Sequence, residues 1–252
     1  MQKRWQQIGV VAMGVVVLGI AAVGYADHHG AAQANPVAHI VVGELTGCKD
    51  PAAVAKVVEE INAEAAENGG PTGRVWRPLH HSGFPGRVAI TFITPSLAEY
   101  GKQIDRFIGS MSGDNQAPFQ KLSACVRIVQ RRADEILVAP SVPPDEAQVV
   151  DRLTYRLKGD CSAAEVVQQV AAGNAWLREQ GYQEYGLRWP LFGAEADTII
   201  TYAGYPSFAS LTQSMAAFRA EAAKPGSAMA KLWVRVSQCM TLTSRISGFR
   251  IH

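Results

Sequence analysis

The sequence has no glycine-rich phosphate loop, no nucleophile elbow, no zinc-ligand spacing and no paired-carboxylate arrangement. That removes the usual sequence marks of nucleotide, acyl-transfer and structural-zinc chemistry. Charge is scarce as well, at 18% of 252 residues against 48% hydrophobic, and 24 Lys and Arg stand against 22 Asp and Glu. A nucleic-acid binder needs a basic footprint, and none is present. Cysteine is limited to Cys48, Cys125, Cys161 and Cys239, so none lies in the amino-terminal segment to carry a lipid anchor.

That segment differs in kind from the rest. Lys3 and Arg4 precede an almost wholly apolar run, Ile8 to Val23, and Gly24-Tyr25-Ala26 then supplies small residues where a signal peptidase reads. Residues 1–26 form a secretory signal by this pattern, followed by a leader over residues 27–38. The rival is an uncleaved anchor over residues 8–24, since a run of about 17 to 19 apolar residues is near the lower limit for a bilayer span. Only then does the chain meet a membrane. Cleavage removes Lys3 and Arg4 and no acid, leaving 22 basic against 22 acidic side chains. The expected location is exported, periplasmic or secreted.

A cut after Ala26 places Asp27-His28-His29 at the new terminus. The free amine, two backbone nitrogens and the His29 imidazole then supply a square-planar nitrogen set of the kind Cu(II) favours.

Further on, elements follow in a regular order. His39 to Leu45 reads as a strand. Asp50-Pro51 starts a helix whose apolar stripe is Val54, Val57, Val58 and Ile61. Arg74 to Leu79 is a second strand and Val88 to Ile93 a third. Ser96 and Glu99 make a capping box for a helix with Leu97, Tyr100, Ile104, Phe107, Ile108 and Met111 as its expected buried face. A short helix near Phe119 and Leu122 leads into a fourth strand at Cys125 to Val129.

The proline-rich connector of residues 139–148 separates this unit, residues 39–138, from a second one over 149–252. The second unit repeats the order, with strands at Arg152 to Leu157, Tyr185 to Leu191, Thr198 to Tyr205 and Cys239 to Ile246, and a capping box at Ser162 and Glu165. Pro78 and Pro190 lie 112 apart, as do Asn62 and Asn174. Cys48 to Cys125 spans 77 positions and Cys161 to Cys239 spans 78. The chain is a tandem duplication.

Strand-helix-strand-strand-helix-strand over about 100 residues is the ferredoxin-like split motif, so the fold class is α+β with two tandem βαββαβ repeats. Its usual order sets strand one between strands four and three and strand two at an edge, where a proline is tolerated. The cysteines ending strand one and starting strand four then become neighbours, predicting the disulfides Cys48–Cys125 and Cys161–Cys239. Val88, Ile90 and Phe92 alternate with Ala89, Thr91 and Ile93, so both faces of strand three are apolar. Helices cover one, and the other repeat's sheet is expected to cover the other, with Phe92 largely buried.

The run Ser96-Leu97-Ala98-Glu99-Tyr100, together with Phe119-Gln120-Lys121-Leu122, resembles the antibiotic-biosynthesis-monooxygenase-like branch of the dimeric α/β-barrel superfamily. The resemblance implies a pseudo-dimeric α/β barrel within one chain. It implies a circle of relatives that includes cofactor-free oxygenases and haem-handling proteins.

Candidate ligand-binding residues are few. His80 and His81 end strand two beside Arg77 and are the candidate haem or metal donors. Arg188-Trp189 offers a guanidinium and an aromatic ring for an aromatic acid. Tyr202, Tyr205, Trp176 and Trp233 read as core. The chain thus reads as an exported protein holding a small apolar or aromatic ligand in a barrel cavity, without chemistry or a required cofactor of its own. The alternatives are a cofactor-free oxygenase or haem-handling enzyme, and an envelope interaction module docking partners on strands 74–79 and 185–191.

Overall fold

The computed structural model describes residues 35–67, 70–79, 86–110, 117–142, 146–159, 161–195 and 197–251. The first repeat runs β1 (Val37–Leu45), α1 (Pro51–Glu67), β2 (Gly73–Pro78), β3 (Arg87–Thr94), α2 (Leu97–Ser110), α3 (Ala117–Cys125) and β4 (Val126–Val138). The second runs β5 (Val149–Leu157), α4 (Ala163–Glu179), β6 (Gly186–Phe192), β7 (Thr198–Tyr205), α5 (Phe208–Ala222), α6 (Ala228–Cys239) and β8 (Met240–Arg250). Helix starts follow their capping chemistry. Ala52 N donates to Asp50 Oδ1 at 2.9 Å, Glu99 N to Ser96 Oγ at 3.1 Å, and Ser162 with Glu165 forms the full reciprocal box.

Each repeat pairs its strands antiparallel in the order expected, β4-β1-β3-β2 and β8-β5-β7-β6. The two sheets then join at both margins into one closed eight-stranded barrel. At one seam Trp76, Arg77 and Pro78 face Arg250, Phe249 and Gly248. At the other, β4 pairs β6 from Ala133↔Phe192 to Val138↔Leu187. The strands expected to be free edges are therefore seam strands, β2 pairing β8 and β6 pairing β4. Both prolines fit this arrangement. Pairing of β2 with β3 ends at Trp76 and that of β6 with β7 at Arg188, so Pro78 and Pro190 lie past the sheet that would require their N–H.

The repeated asparagines have a matching reason. Asn62 Nδ2 donates to Gly73 O at 3.0 Å while its Oδ1 accepts from Gly73 N at 2.6 Å. Asn174 does the same to Tyr185, at 2.7 and 2.8 Å. One amide thus satisfies both backbone groups of the residue that leads into the second strand of its repeat. The cysteines form Cys48–Cys125 and Cys161–Cys239, with Cα separations of 4.5 and 5.4 Å.

Alternation gives every strand an outer face under the helices and an inner face toward the lumen. The outer core of the first repeat packs Val54, Val58 and Ile61 of α1 on Val41, Val75, Val88 and Ile90. That of the second packs Val166 on Tyr155, Leu187 and Ile199. Phe92 belongs to the outer face and is only half-buried, which corrects its expected place between the sheets. Helix α2 also departs from expectation, because no residue from 97 to 106 is fully buried and Leu97 is 49% exposed. Trp233, expected in the core, is 50% exposed. Among the described residues no helix is long and apolar enough to cross a membrane.

Candidate functional site

The duplication allows the two outer chambers to be compared place by place. His39 on β1 opposes Phe92 and Ala133, and Asp151 on β5 opposes Ala203 and Ser247, so His39 and Asp151 hold one equivalent position. Arg131 opposite Val41 matches Arg245 opposite Leu153 in the same way. One repeat fills this place with an acid and a base, the other with two bases.

In the second repeat the pair closes on itself. Asp151 is fully buried and accepts from Arg245 Nε at 3.0 Å and Nη2 at 2.6 Å, a bidentate contact. Arg245 Nη2 also lies 2.9 Å from Met215 Sδ of α5. Tyr205 donates to Tyr185 Oη at 3.4 Å, and burial raises the Tyr185 hydroxyl well above its ordinary range. Leu211 and Ser214 of α5 are buried over this network. The chamber is filled and internally paired.

The first repeat places different groups here. The His39 ring stands edge-on to Tyr100 at 5.5 Å and tilted to Phe92 at 6.1 Å. Phe92 reaches this place because Gly73 has no side chain, and a Cβ there would come within 2.5 Å of Phe92 Cε1. The second repeat reverses the volumes, with Tyr185 at the glycine's place and Ala203 at the phenylalanine's. Burial, and then the positive charge of Arg131, lowers the His39 pKa to about 4. At pH 7 only about one molecule in a thousand carries the proton. His39 is therefore a neutral, half-buried imidazole under a helix that buries nothing deeply between residues 97 and 106. It can donate or accept a hydrogen bond or ligate a metal.

No protein-family model and no curated protein matches the sequence. Solved structures do match. An anthrone oxidase-like protein aligns at TM-score 0.54 and 12% identity, covering 86% of this chain and 92% of that one. A putative monooxygenase from Fusobacterium nucleatum aligns at TM-score 0.58 and 8% identity, covering 88% and 94%. A haem-binding protein from Thermus thermophilus aligns at TM-score 0.50 and 9% identity, covering 86% and 91%. The fold is the dimeric α/β barrel. At these identities the likeness establishes architecture, and a single chain supplies both halves of the barrel.

Within this barrel the residues singled out from sequence are scattered. Arg188 points into the lumen, its Cζ 3.8 Å from the centre of the Tyr202 ring. Trp189 is next in the strand, so it faces outward and packs against the second repeat's outer core. The two do not share a site. Arg77 is exposed on β2, 6.0 Å from the Phe249 ring. His80, His81, Asp27, His28 and His29 lie outside the described residues. Cys161, Glu165 and Cys239 approach one another within 4.8 Å, but both sulfurs are in the disulfide and Glu165 caps α4, which leaves no metal site there.

His39 was missed because it opens a run that reads simply as a β-branched strand. The signal that exposes it is the 112-residue offset already carried by Asn62 and Asn174. Applied to His39, it lands on Asp151 and marks a titratable pair at one scaffold position.

Proposed function

We propose that this is an exported haem-handling protein whose ligand would sit in the outer chamber of the first repeat, with His39 as the residue that would hold it. The observation that carries this is the neutral imidazole of His39, set between the Phe92 and Tyr100 rings beneath the loosely packed α2. The donor set fits the group. A haem takes a neutral histidine nitrogen on iron, an apolar aromatic surround for the macrocycle and positive charge for its carboxylates. His39, Phe92 with Tyr100, and Arg131 are of those three kinds.

Bound there, haem supplies a redox-active iron centre. The chain's own part is to present a lone pair that stays free of protons above about pH 5. It also supplies an apolar wall and keeps the second repeat's chamber closed by the Asp151–Arg245 pair. The similarity in fold to a haem-binding protein and to monooxygenase-like proteins supports this reading. A cofactor-free oxygenase needs a residue that takes a proton from its substrate, and a histidine whose pKa is about 4 holds one too weakly at neutral pH. The two disulfides support an oxidising compartment, in keeping with removal of residues 1–26.

The test is an absorbance titration of the mature chain with hemin. A saturating Soret shift at one equivalent is expected, lost in His39→Ala and retained in His80→Ala/His81→Ala. Equal titration by wild type and His39→Ala would overturn the assignment.

A further inference from the structure

The inner face of the barrel was expected to be apolar, and over much of the first repeat it is, with Ala38, Ile40, Val42 and Ile136 in one cluster. Directly beside that cluster, around the seam of β4 with β6, the lining is charged. Arg132 and Asp134 on β4, Arg152 on β5, Arg188 on β6 and Tyr202 on β7 all take inward places in the register. Asp134 is fully buried, Arg132 is 5% exposed and Arg188 8%. Arg132 Nε donates to Asp134 Oδ2 at 3.0 Å in a buried ion pair, which neutralises one guanidinium. Arg152 and Arg188 are left with no acid of their own, and the three arginines act on one another through space. Three positive charges share one negative charge.

Hydrogen bonding is incomplete at the same place. Arg152 Nε, Arg188 Nε, Tyr202 Oη and one carboxylate oxygen, Asp134 Oδ1, are buried and have no hydrogen-bond partner among the described residues. Arg152 makes one long contact, Nη2 to Thr154 Oγ1 at 3.3 Å. Unpaired guanidinium donors in a protein interior are strongly unfavourable unless something answers them. Inward-facing Ala89, Thr91, Arg152, Thr154 and Ile246 keep some accessible surface within the closed ring of strands. Gly186 contributes as well. A Cβ there would sit 2.6 Å from Tyr202 Cε1, so the glycine lets the phenol lie across β6 beneath Arg188.

The scaffold does not require this cluster. At the equivalent places of the other repeat, Arg152 and Arg188 are replaced by Ile40 and Trp76, and Arg132 and Asp134 by Ile246 and Gly248. The same barrel position is built with apolar residues on one side and with three arginines on the other. Burial, and then the charge of Arg132, presses the Arg152 pKa down to about 9, with Asp134 opposing and Arg188 adding to the fall.

We propose that the barrel lumen is a binding site for a small dianionic oxyanion, held by Arg152 and Arg188 with Tyr202 as a further donor. Forked guanidinium donors match the paired oxygens of carboxylate and phosphate groups, and two uncompensated charges match a charge of minus two. The site lies on the opposite face of the sheet from His39, so it stands or falls independently of the haem reading.

The experiment uses the mature chain with both disulfides intact, followed by calorimetric titration and thermal unfolding. The probes are inorganic phosphate and malonate, against sodium chloride at equal ionic strength. Saturable binding at one equivalent and a raised unfolding temperature are expected with one or both probes, and the stronger response tells a phosphate-type from a dicarboxylate-type ligand. Arg152→Ile copies the sister residue Ile40 and is expected to fold. Its affinity for the probe should drop by about tenfold or more, the worth of a lost charge-assisted hydrogen bond. In anion-free buffer it should unfold at a higher temperature than wild type, because an unpaired buried charge is gone. If neither probe acts beyond chloride, or if Arg152→Ile responds as wild type does, the site does not exist.

Discussion

Replacing Asn174 by Ala removes two hydrogen bonds in one step without touching the strands themselves. Asn174 is 4% exposed, and its amide holds both the N–H and the C=O of Tyr185 at 2.8 and 2.7 Å. Each backbone group left without a partner costs about 1–3 kcal/mol when water is excluded. Tyr185 is partly buried, so solvent recovers some of this, and the expected loss is about 2–4 kcal/mol for the pair. For a chain of this size each kcal/mol lowers the unfolding temperature by about 2–4 °C. Asn62 makes the same two bonds to Gly73 but is only half-buried, so Asn62→Ala should cost less than Asn174→Ala. The assay is equilibrium urea unfolding under non-reducing conditions, followed by circular dichroism. Losses below about 0.5 kcal/mol in both variants would mean that the repeated asparagines do not clamp the second strands.

Other expectations follow from the first repeat. The His39 pKa falls from 6.5 in the unfolded chain to about 4 in the folded one, so the unfolded chain binds the extra proton between those values. Stability is therefore full above about pH 6.5 and declines as pH falls toward 4. The loss is about 3 kcal/mol at most, and nearer 1–2 once solvent screening of this half-buried group is counted. His39→Phe should flatten that part of a stability-pH profile, and an unchanged slope would contradict the burial of the ring. Phe92→Ala should cost about 1–2 kcal/mol, less than the ~3–5 of a fully buried phenylalanine, because the ring is half-buried on the outer face. A urea-measured cost within the higher range would place Phe92 deeper than β3 allows.

Much of the fold was readable because duplication states each structural requirement twice. The prolines and the asparagines each recur 112 positions apart, the two cysteine pairs span 77 and 78 positions, and each set proved to share one physical job. Sheet closure was less readable. A proline in a strand shows that one neighbour is missing there, and cannot show that a strand of the other repeat covers the remaining side, as β8 covers β2. The face of Phe92 was not readable either, since both alternating sets on β3 are apolar and periodicity alone does not say which meets the helices.

The charged lumen was hidden for a related reason. Register shifts interrupt the pairing of β1 with β4 after Val42 and of β5 with β8 after Thr154. A one-residue slip of that kind reverses which side chains face inward. Arg132 and Asp134 lie beyond the first of these shifts, past the stretch recognisable as the start of the fourth strand. Their meeting with Arg152 and Arg188 is a product of barrel closure, and no local pattern carries it.

The haem reading turns on a ligand chamber at His39 and a closed sister chamber at Asp151. Nuclear magnetic resonance of isotopically labelled mature protein, recorded with and without one equivalent of ferric hemin, addresses it directly, because the paramagnetic iron broadens resonances of nearby residues. Signals of Gly73, Phe92, Tyr100 and Arg131 should broaden, while those of Asp151, Tyr185, Met215 and Arg245 should stay sharp. Broadening in the second group, or none in the first, would contradict it.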